Sequence, residues 1–168
     1  MENVKKVLLT GATGFIGKAL VLNLIDNDFK LITPVRKKIS RLIDVVEMPI
    51  LSDLCNFPAD CNWFDGCEVV VHIAAKAHSN DSSLNEFLKV NTYATLKIAS
   101  LASKAGVKRF IYLSSIGVNG VNNSRPFSVT DKPAPVEDYA VSKLEAEIGL
   151  KQIAADTGME VVIIRPPL

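Results

Sequence analysis

Thr10-Gly11-Ala12-Thr13-Gly14-Phe15-Ile16-Gly17 is the stretch that decides how this chain is read. It follows residues 4–10 (VKKVLLT), whose apolar, β-favouring end predicts a strand. It opens residues 14–27, where Ile16, Leu20, Leu24 and Ile25 recur at helical spacing. Between a strand and a helix each of the three glycines has a physical role. The first allows the tight turn, the second lets backbone approach a pyrophosphate, and the third lets helix and strand pack closely. Free amides and the positive end of the helix then face the anion. A P-loop is excluded. It needs four residues between its glycines and Ser or Thr after the lysine, whereas five residues separate Gly11 from Gly17 and Ala19 follows Lys18.

Outward from the turn, strands and helices alternate. Residues 29–35 read as a second strand and 45–51 as a short third one, interrupted by Pro49. Residues 68–73 (EVVVHI) form the unbroken apolar run of a strand buried on both faces. A long helical pattern over 84–104 is closed by Gly106, and a strand follows at 109–114 (RFIYLS). Residues 116–136 make the longest loop, 138–157 a helix stopped by Gly158, and 160–165 (EVVIIR) a last strand. The pattern predicts an α/β fold, a doubly wound parallel sheet with helices on both faces.

Composition fits that reading and narrows the function. The 168 residues form one domain, with 48% hydrophobic and 22% charged side chains and 7% aromatics, so the core is mainly aliphatic. Nineteen Lys and Arg against eighteen Asp and Glu give a net charge of +1, which argues against a nucleic-acid partner. No apolar run approaches the roughly 20 residues of a membrane span, and no signal peptide opens the chain, so a cytoplasmic setting is expected. Cys55, Cys61 and Cys67 match no zinc pattern. With only His72 and His78 beside them, no metal site is expected. The last strand ends almost at Leu168, which leads to the expectation that residues 1–168 are one nucleotide-binding domain cut from a longer protein.

Candidate reacting groups lie at the carboxyl ends of the expected strands, where open parallel sheets bind ligands. Tyr139 and Lys143, four apart on a helix, share a face. A nearby ammonium favours the phenolate of a tyrosine that is otherwise a weak base at neutral pH. Ser115 ends the fifth strand, and Ala74 and Ala75 follow the fourth. Dinucleotide folds often carry an acid after the second strand to bind a ribose. Here that region reads Thr33-Pro34-Val35-Arg36-Lys37-Lys38, and Arg36 is suited to a 2′-phosphate, which favours NADP over NAD. His72, in an apolar strand, reads as a satisfied core histidine.

These motifs together resemble the extended short-chain dehydrogenase/reductase superfamily, in its nucleotide-sugar epimerase and dehydratase branch. The resemblance runs from Val4 to Pro167. It rests on TGATGFIG, Asp53-Leu54, VVHIAA at 70–75, Asn91, Leu113-Ser114-Ser115, YAVSK followed by LEAE, and IIRPP. RPFSVTDKPAP, before Tyr139, looks like the bacterial surface-polysaccharide members.

The resemblance implies a Rossmann-type domain in which Ser115, Tyr139 and Lys143 are catalytic. It implies that Gly11, Gly14, Phe15, Ile16 and Gly17 hold the pyrophosphate of NAD or NADP. Asp53 and Leu54 would contact adenine, and Ala74 and Ala75 the nicotinamide half. Asn91 would stand on the cofactor side and help hold the active-site helix. Lys143 would also hold the nicotinamide ribose. The implied activity is that of a nucleoside-diphosphate-sugar epimerase. The alternatives are a 4-ketoreductase or dehydrogenase of the same branch, and a noncatalytic NADP-binding sensor. The full-length protein would pair as a homodimer through the helices at 84–104 and 138–157. Asn119 departs from the family, standing where many epimerases have a tyrosine.

Overall fold

The computed structural model describes residues 5–38, 46–77 and 82–167. Val4, Val45 and His78, which figure in the sequence reading, lie outside the described residues. Six strands form one parallel sheet: β1 (Lys6–Thr10), β2 (Lys30–Ile32), β3 (Val46–Glu47), β4 (Cys67–His72), β5 (Arg109–Leu113) and β6 (Glu160–Ile164). Their order is β3-β2-β1-β4-β5-β6. The chain winds one way from β1 to β3 and the other way from β4 to β6. The crevice where the order reverses opens between β1 and β4, at the carboxyl ends of the strands. Thr10 there pairs with His72, closing a register that begins at Lys6 and Cys67.

Alternation along β1 sends its side chains to two cores. Val7 and Leu9 pack with Val21 of α1 (Phe15–Asp26) and with Leu31 and Val46. Leu8 points the other way, to a core of Val70, Phe110 and Tyr112. Ile98, Ala99 and Ala102 of α3 (Ala94–Lys104) and Ala146 and Leu150 of α4 (Asp138–Thr157) cover that side. Helices therefore lie on both faces, as a buried parallel sheet requires. Aliphatic side chains fill the α1 face. Phe57, Phe64, Phe110 and Tyr112 concentrate the aromatic residues on the other.

The helix expected over 84–104 is continuous but not uniform. It begins as α2 (Leu84–Phe87), capped by the reciprocal Ser83–Glu86 box, and becomes π-helical over Leu88–Tyr93 before α3. The wider turn surrounds buried Asn91, and such insertions are frequent at functional sites. The second and third strands are shorter than expected. The chain beyond Ile32 keeps one isolated bridge, Val35 to Ile50. Pro34 and Pro49 lack the N–H groups that a longer ladder needs. α4 runs over the expected residues and ends at Gly158 in the left-handed region.

Candidate active site

A cleft of about 760 Å³ lies along the carboxyl ends of the strands. That volume is in the range of small-molecule and cofactor sites. Its floor is the glycine turn. A Cβ at Gly11 would stand 2.7 Å from Ala74 N, and one at Gly17 would stand 2.0 Å from Gly11 O. Gly11 thus lets the turn touch the exit of β4, and Gly17 lets α1 touch the turn. Gly14 differs: a Cβ there meets only Gly11 O, at 3.4 Å. Nothing in the protein forbids a side chain at Gly14, so its bareness serves the space above it. Gly14 caps α1 without a side-chain bond, leaving first-turn amides for an anion. Phe15 beside it is 95% exposed.

Arg36, Asp53 and Leu54 line one end of the cleft, Ala74 and Ala75 its middle, and Tyr139 and Lys143 the other end. Asp53 Oδ1 accepts from Cys55 N at 2.9 Å, which fixes the turn Leu54–Asn56. That bond holds the Asp53 carboxyl below its usual pKa. Asn91 is buried behind the cleft and lines none of it. Its Oδ1 accepts from Lys76 N at 2.8 Å, and its Nδ2 donates to Lys76 O and to Ser142 Oγ, each at 3.0 Å. Ser142 Oγ donates in turn to Tyr139 O, at 2.7 Å. The π-helical turn therefore clamps the strand exit carrying Ala74 and Ala75 to the helix carrying Tyr139.

Tyr139 is half-buried in the first turn of α4, and Lys143 is only 1% exposed. The Lys143 Nζ lies 6.0 Å from the centre of the Tyr139 ring and 4.3 Å from that of Tyr112. Burial lowers the Lys143 ammonium from its ordinary 10.5 to about 7, and the Glu147 carboxylate opposes that fall. Burial pushes the Tyr139 phenol above its ordinary value. Ser115 caps the 3-10 turn Ile116–Asn119, its Oγ accepting from Gly117 N at 3.1 Å. It is buried and lies outside the cleft lining, whereas neighbouring Ser114 lines the cleft. The Ser114 hydroxyl turns away, donating to Glu147 Oε1 at 2.5 Å.

His72 is fully buried, and both ring nitrogens are bonded. Nδ1 meets Thr10 Oγ1 at 2.8 Å and Nε2 meets Thr95 Oγ1 at 2.9 Å. Thr95 Oγ1 donates to Asn91 O, so it accepts from His72, which places the ring proton on Nε2. Burial lowers this histidine to about 3. Burial also pushes the Cys67 thiol up to about 11. Among the described residues no group of three or more His, Cys, Asp or Glu could hold a metal ion. No helix among them is long and apolar enough to cross a membrane.

Sequence reasoning passed over a buried network behind Lys143. Glu147 is 0% exposed. Its Oε1 accepts from Arg165 Nε at 2.9 Å and its Oε2 from Arg165 Nη2 at 2.5 Å. Arg165 Nη1 also donates to Asn119 Oδ1 at 3.0 Å. The Asn119 carbonyl oxygen is thus engaged inside the protein. A signal was present in the sequence: Glu147 falls one helical turn beyond Lys143, as Lys143 falls one turn beyond Tyr139.

A Rossmann-type parallel sheet, with a glycine turn at the switch point and a Tyr–Lys pair at the far end of the same cleft, defines the class. The family model of the NAD dependent epimerase/dehydratase family matches residues 7–168. The chain belongs to that family. It is 40% identical over 175 residues to a UDP-glucose 4-epimerase of Vibrio cholerae, a match covering 98% of this chain and 52% of that protein. A UDP-glucose 4-epimerase structure from Thermotoga maritima, with UDP-glucose, superposes with a TM-score of 0.85. That match is 27% identical and covers 95% of this chain and 54% of the other. A structure of MoeE5 in complex with UDP-glucose and NAD gives 0.79 at 30% identity, covering 94% and 52%. The chain spans about half the length of the relatives it matches.

Proposed function

We propose that this chain is the NAD(P)-binding part of a nucleoside-diphosphate-sugar epimerase, with Tyr139 as the acid/base. The observation that carries the reading is that Tyr139 and Lys143 face the same cleft as the glycine turn. The cradle fits the cofactor: Gly14 is bare without an internal steric reason, and α1 begins without a side-chain cap. Gly11, Gly14 and Gly17, with the amides of Phe15 and Ile16, would hold its pyrophosphate. Asp53 and Leu54 would hold adenine, Ala74 and Ala75 would flank the nicotinamide half, and Lys143 would hold that half's ribose. When bound, NAD(P) supplies a hydride acceptor and donor.

The chain's own groups handle the proton. Tyr139 Oη takes it from a sugar hydroxyl and returns it after the sugar has turned. A positioned acid/base of this kind is worth about 10² to 10⁴ in rate. In the free chain, burial keeps the Tyr139 proton on. Lys143, when protonated, is the neighbouring charge that favours its release. Ser115 Oγ accepts one backbone N–H, which leaves its own proton free to orient the reacting oxygen. Asn91 holds Tyr139 in place through Ser142.

Tyr139→Phe in the natural full-length protein, assayed with UDP-glucose, tests this. Interconversion should fall by at least about 10² while cofactor stays bound. Retained turnover overturns the assignment.

One observation favours a second reading. Arg36 lines the cleft just after the second strand, where the ribose-binding acid of many dinucleotide folds is absent, which suits NADPH and a 4-ketoreductase. Product analysis separates the two, since an epimerase consumes no cofactor. For the whole protein we propose a homodimer through α3 and α4, on whose side Tyr93 and Ile148 are exposed. Light scattering that shows a monomer overturns this.

A further inference from the structure

Lys143 is the most deeply buried cation of the described chain, and it makes no hydrogen bond or ion pair there. Its Nζ sits among rings, Tyr112 at 4.3 Å and Tyr139 at 6.0 Å. An isolated ammonium in such surroundings tends to give up its proton. The remedy nearest along the helix is Glu147, held by Ser114 and by the Nε and Nη2 donors of one edge of the Arg165 guanidinium.

That arrangement is poorly explained as a stabilising device, because a buried ion pair contributes little net stability over an apolar replacement. Its placement is more informative. Arg165 follows β6, Ser114 follows β5, and Asn119, bound to the same guanidinium, ends the turn that Ser115 begins. One carboxylate thus joins the helix of Tyr139 and Lys143 to the strand end of Ser115.

We propose that Glu147 is a positioning residue, anchored by Arg165, that holds Lys143 as a cation beside Tyr139. The inference rests on the reading of Tyr139 and Lys143 as the reacting pair and adds the group that keeps the pair usable. The groups that act on Lys143 are Tyr139 and Glu147 from α4, Tyr112 from β5 and His72 from β4. Tyr112 and Tyr139 are neutral, since burial raises both phenols, and His72 is neutral, since burial lowers it to about 3. The ionisable side chains of the elements packed on α4 (Glu86, Lys89, Tyr93, Lys97, Lys104, Glu160) are exposed. Glu147, one helical turn along α4, is therefore the one anion that acts on Lys143 among the described residues.

The test is the titration of Lys143 in this 168-residue chain by NMR of labelled lysine side chains, with the signal assigned by Lys143→Met. Wild type should titrate near 7. Folded Glu147→Gln, which keeps hydrogen-bonding capacity but loses the charge, should titrate lower by about one pH unit or more. An unchanged midpoint in folded Glu147→Gln overturns the proposal. If that variant does not fold, wild type decides. A midpoint near 7 or above upholds the proposal, and one at the ~5–6 of unpaired buried lysines overturns it. The readout needs neither cofactor nor turnover, so its failure is distinct from failure of the epimerase reading.

Discussion

The two ends of the cleft are built by opposite means. At the β1–α1 end the working surface is backbone: three glycines, uncapped amides and a Phe15 side chain left in solvent. At the α4 end it is side chains, and they are held from behind by buried bonds. Ser142, Asn91 and Thr92 fix the helix, and Ser114, Glu147 and Arg165 fix the strand ends. Binding a pyrophosphate needs room and amide dipoles, which bareness supplies. Moving a proton needs a side chain held in one place with a controlled charge, which takes a supporting shell. The same difference marks the two cores, with aliphatic packing under α1 and buried polar groups threaded through the packing under α3 and α4.

Substitutions that respect or violate this division should behave differently. The largest effect is expected at Glu147. Glu147→Ala strands Arg165 without its anion and should cost about 3–5 kcal/mol of unfolding free energy, read from urea denaturation. A loss under ~1 kcal/mol would remove the network from the account. At the other end, Gly17→Ala forces a methyl against Gly11 O and should cost about 1–3 kcal/mol. Gly14→Ala, meeting only an ordinary contact, should stay within ~1 kcal/mol of wild type. Equal losses at the two glycines would erase the distinction between packing and ligand space.

Acid should expose the α3/α4 core through His72. Its folded pKa of about 3 lies below the unfolded 6.5. Between those values the unfolded chain binds a proton that the folded chain does not, so stability falls as pH falls through this window. The loss from this group should reach about 2 kcal/mol at pH 5. His72→Gln should flatten that part of the urea-stability profile. Lys143 works in the same direction at higher pH. Its folded value of about 7 lies below 10.5, so its burial penalty is full below 7 and is relieved as pH rises towards 10.5. The smallest effect is at exposed Arg36. Arg36→Ala should reduce a preference for NADPH over NADH by about tenfold or less. Equal binding of the two cofactors by wild type would make Arg36 a bystander.

Much of the glycine-turn end of the cleft was legible in the sequence because glycine spacing has local causes: the strand, the turn and the first helical turn are contiguous. α4 and strands β4, β5 and β6 emerged within a residue or so of expectation, since apolar runs and glycine stops mark them. The π-helical turn was not legible. It depends on Asn91 reaching Lys76 and Ser142, contacts 15 and 51 residues apart in the chain. Nor was the Glu147–Arg165 pair, whose members belong to separate elements. The motif LEAE contained the glutamate, but only the fold brings β6 to it. Ser115 stands at the carboxyl edge of the sheet as expected, but it caps the turn Ile116–Asn119 and lies outside the cleft lining.

Equilibrium titration of this chain with NADH, followed by nicotinamide fluorescence for wild type and Gly14→Ala, tests the central claim most directly. Wild type should bind saturably and Gly14→Ala about tenfold or more weakly, with the variant's urea stability intact. No saturable binding by wild type, or full affinity in the variant, would contradict it.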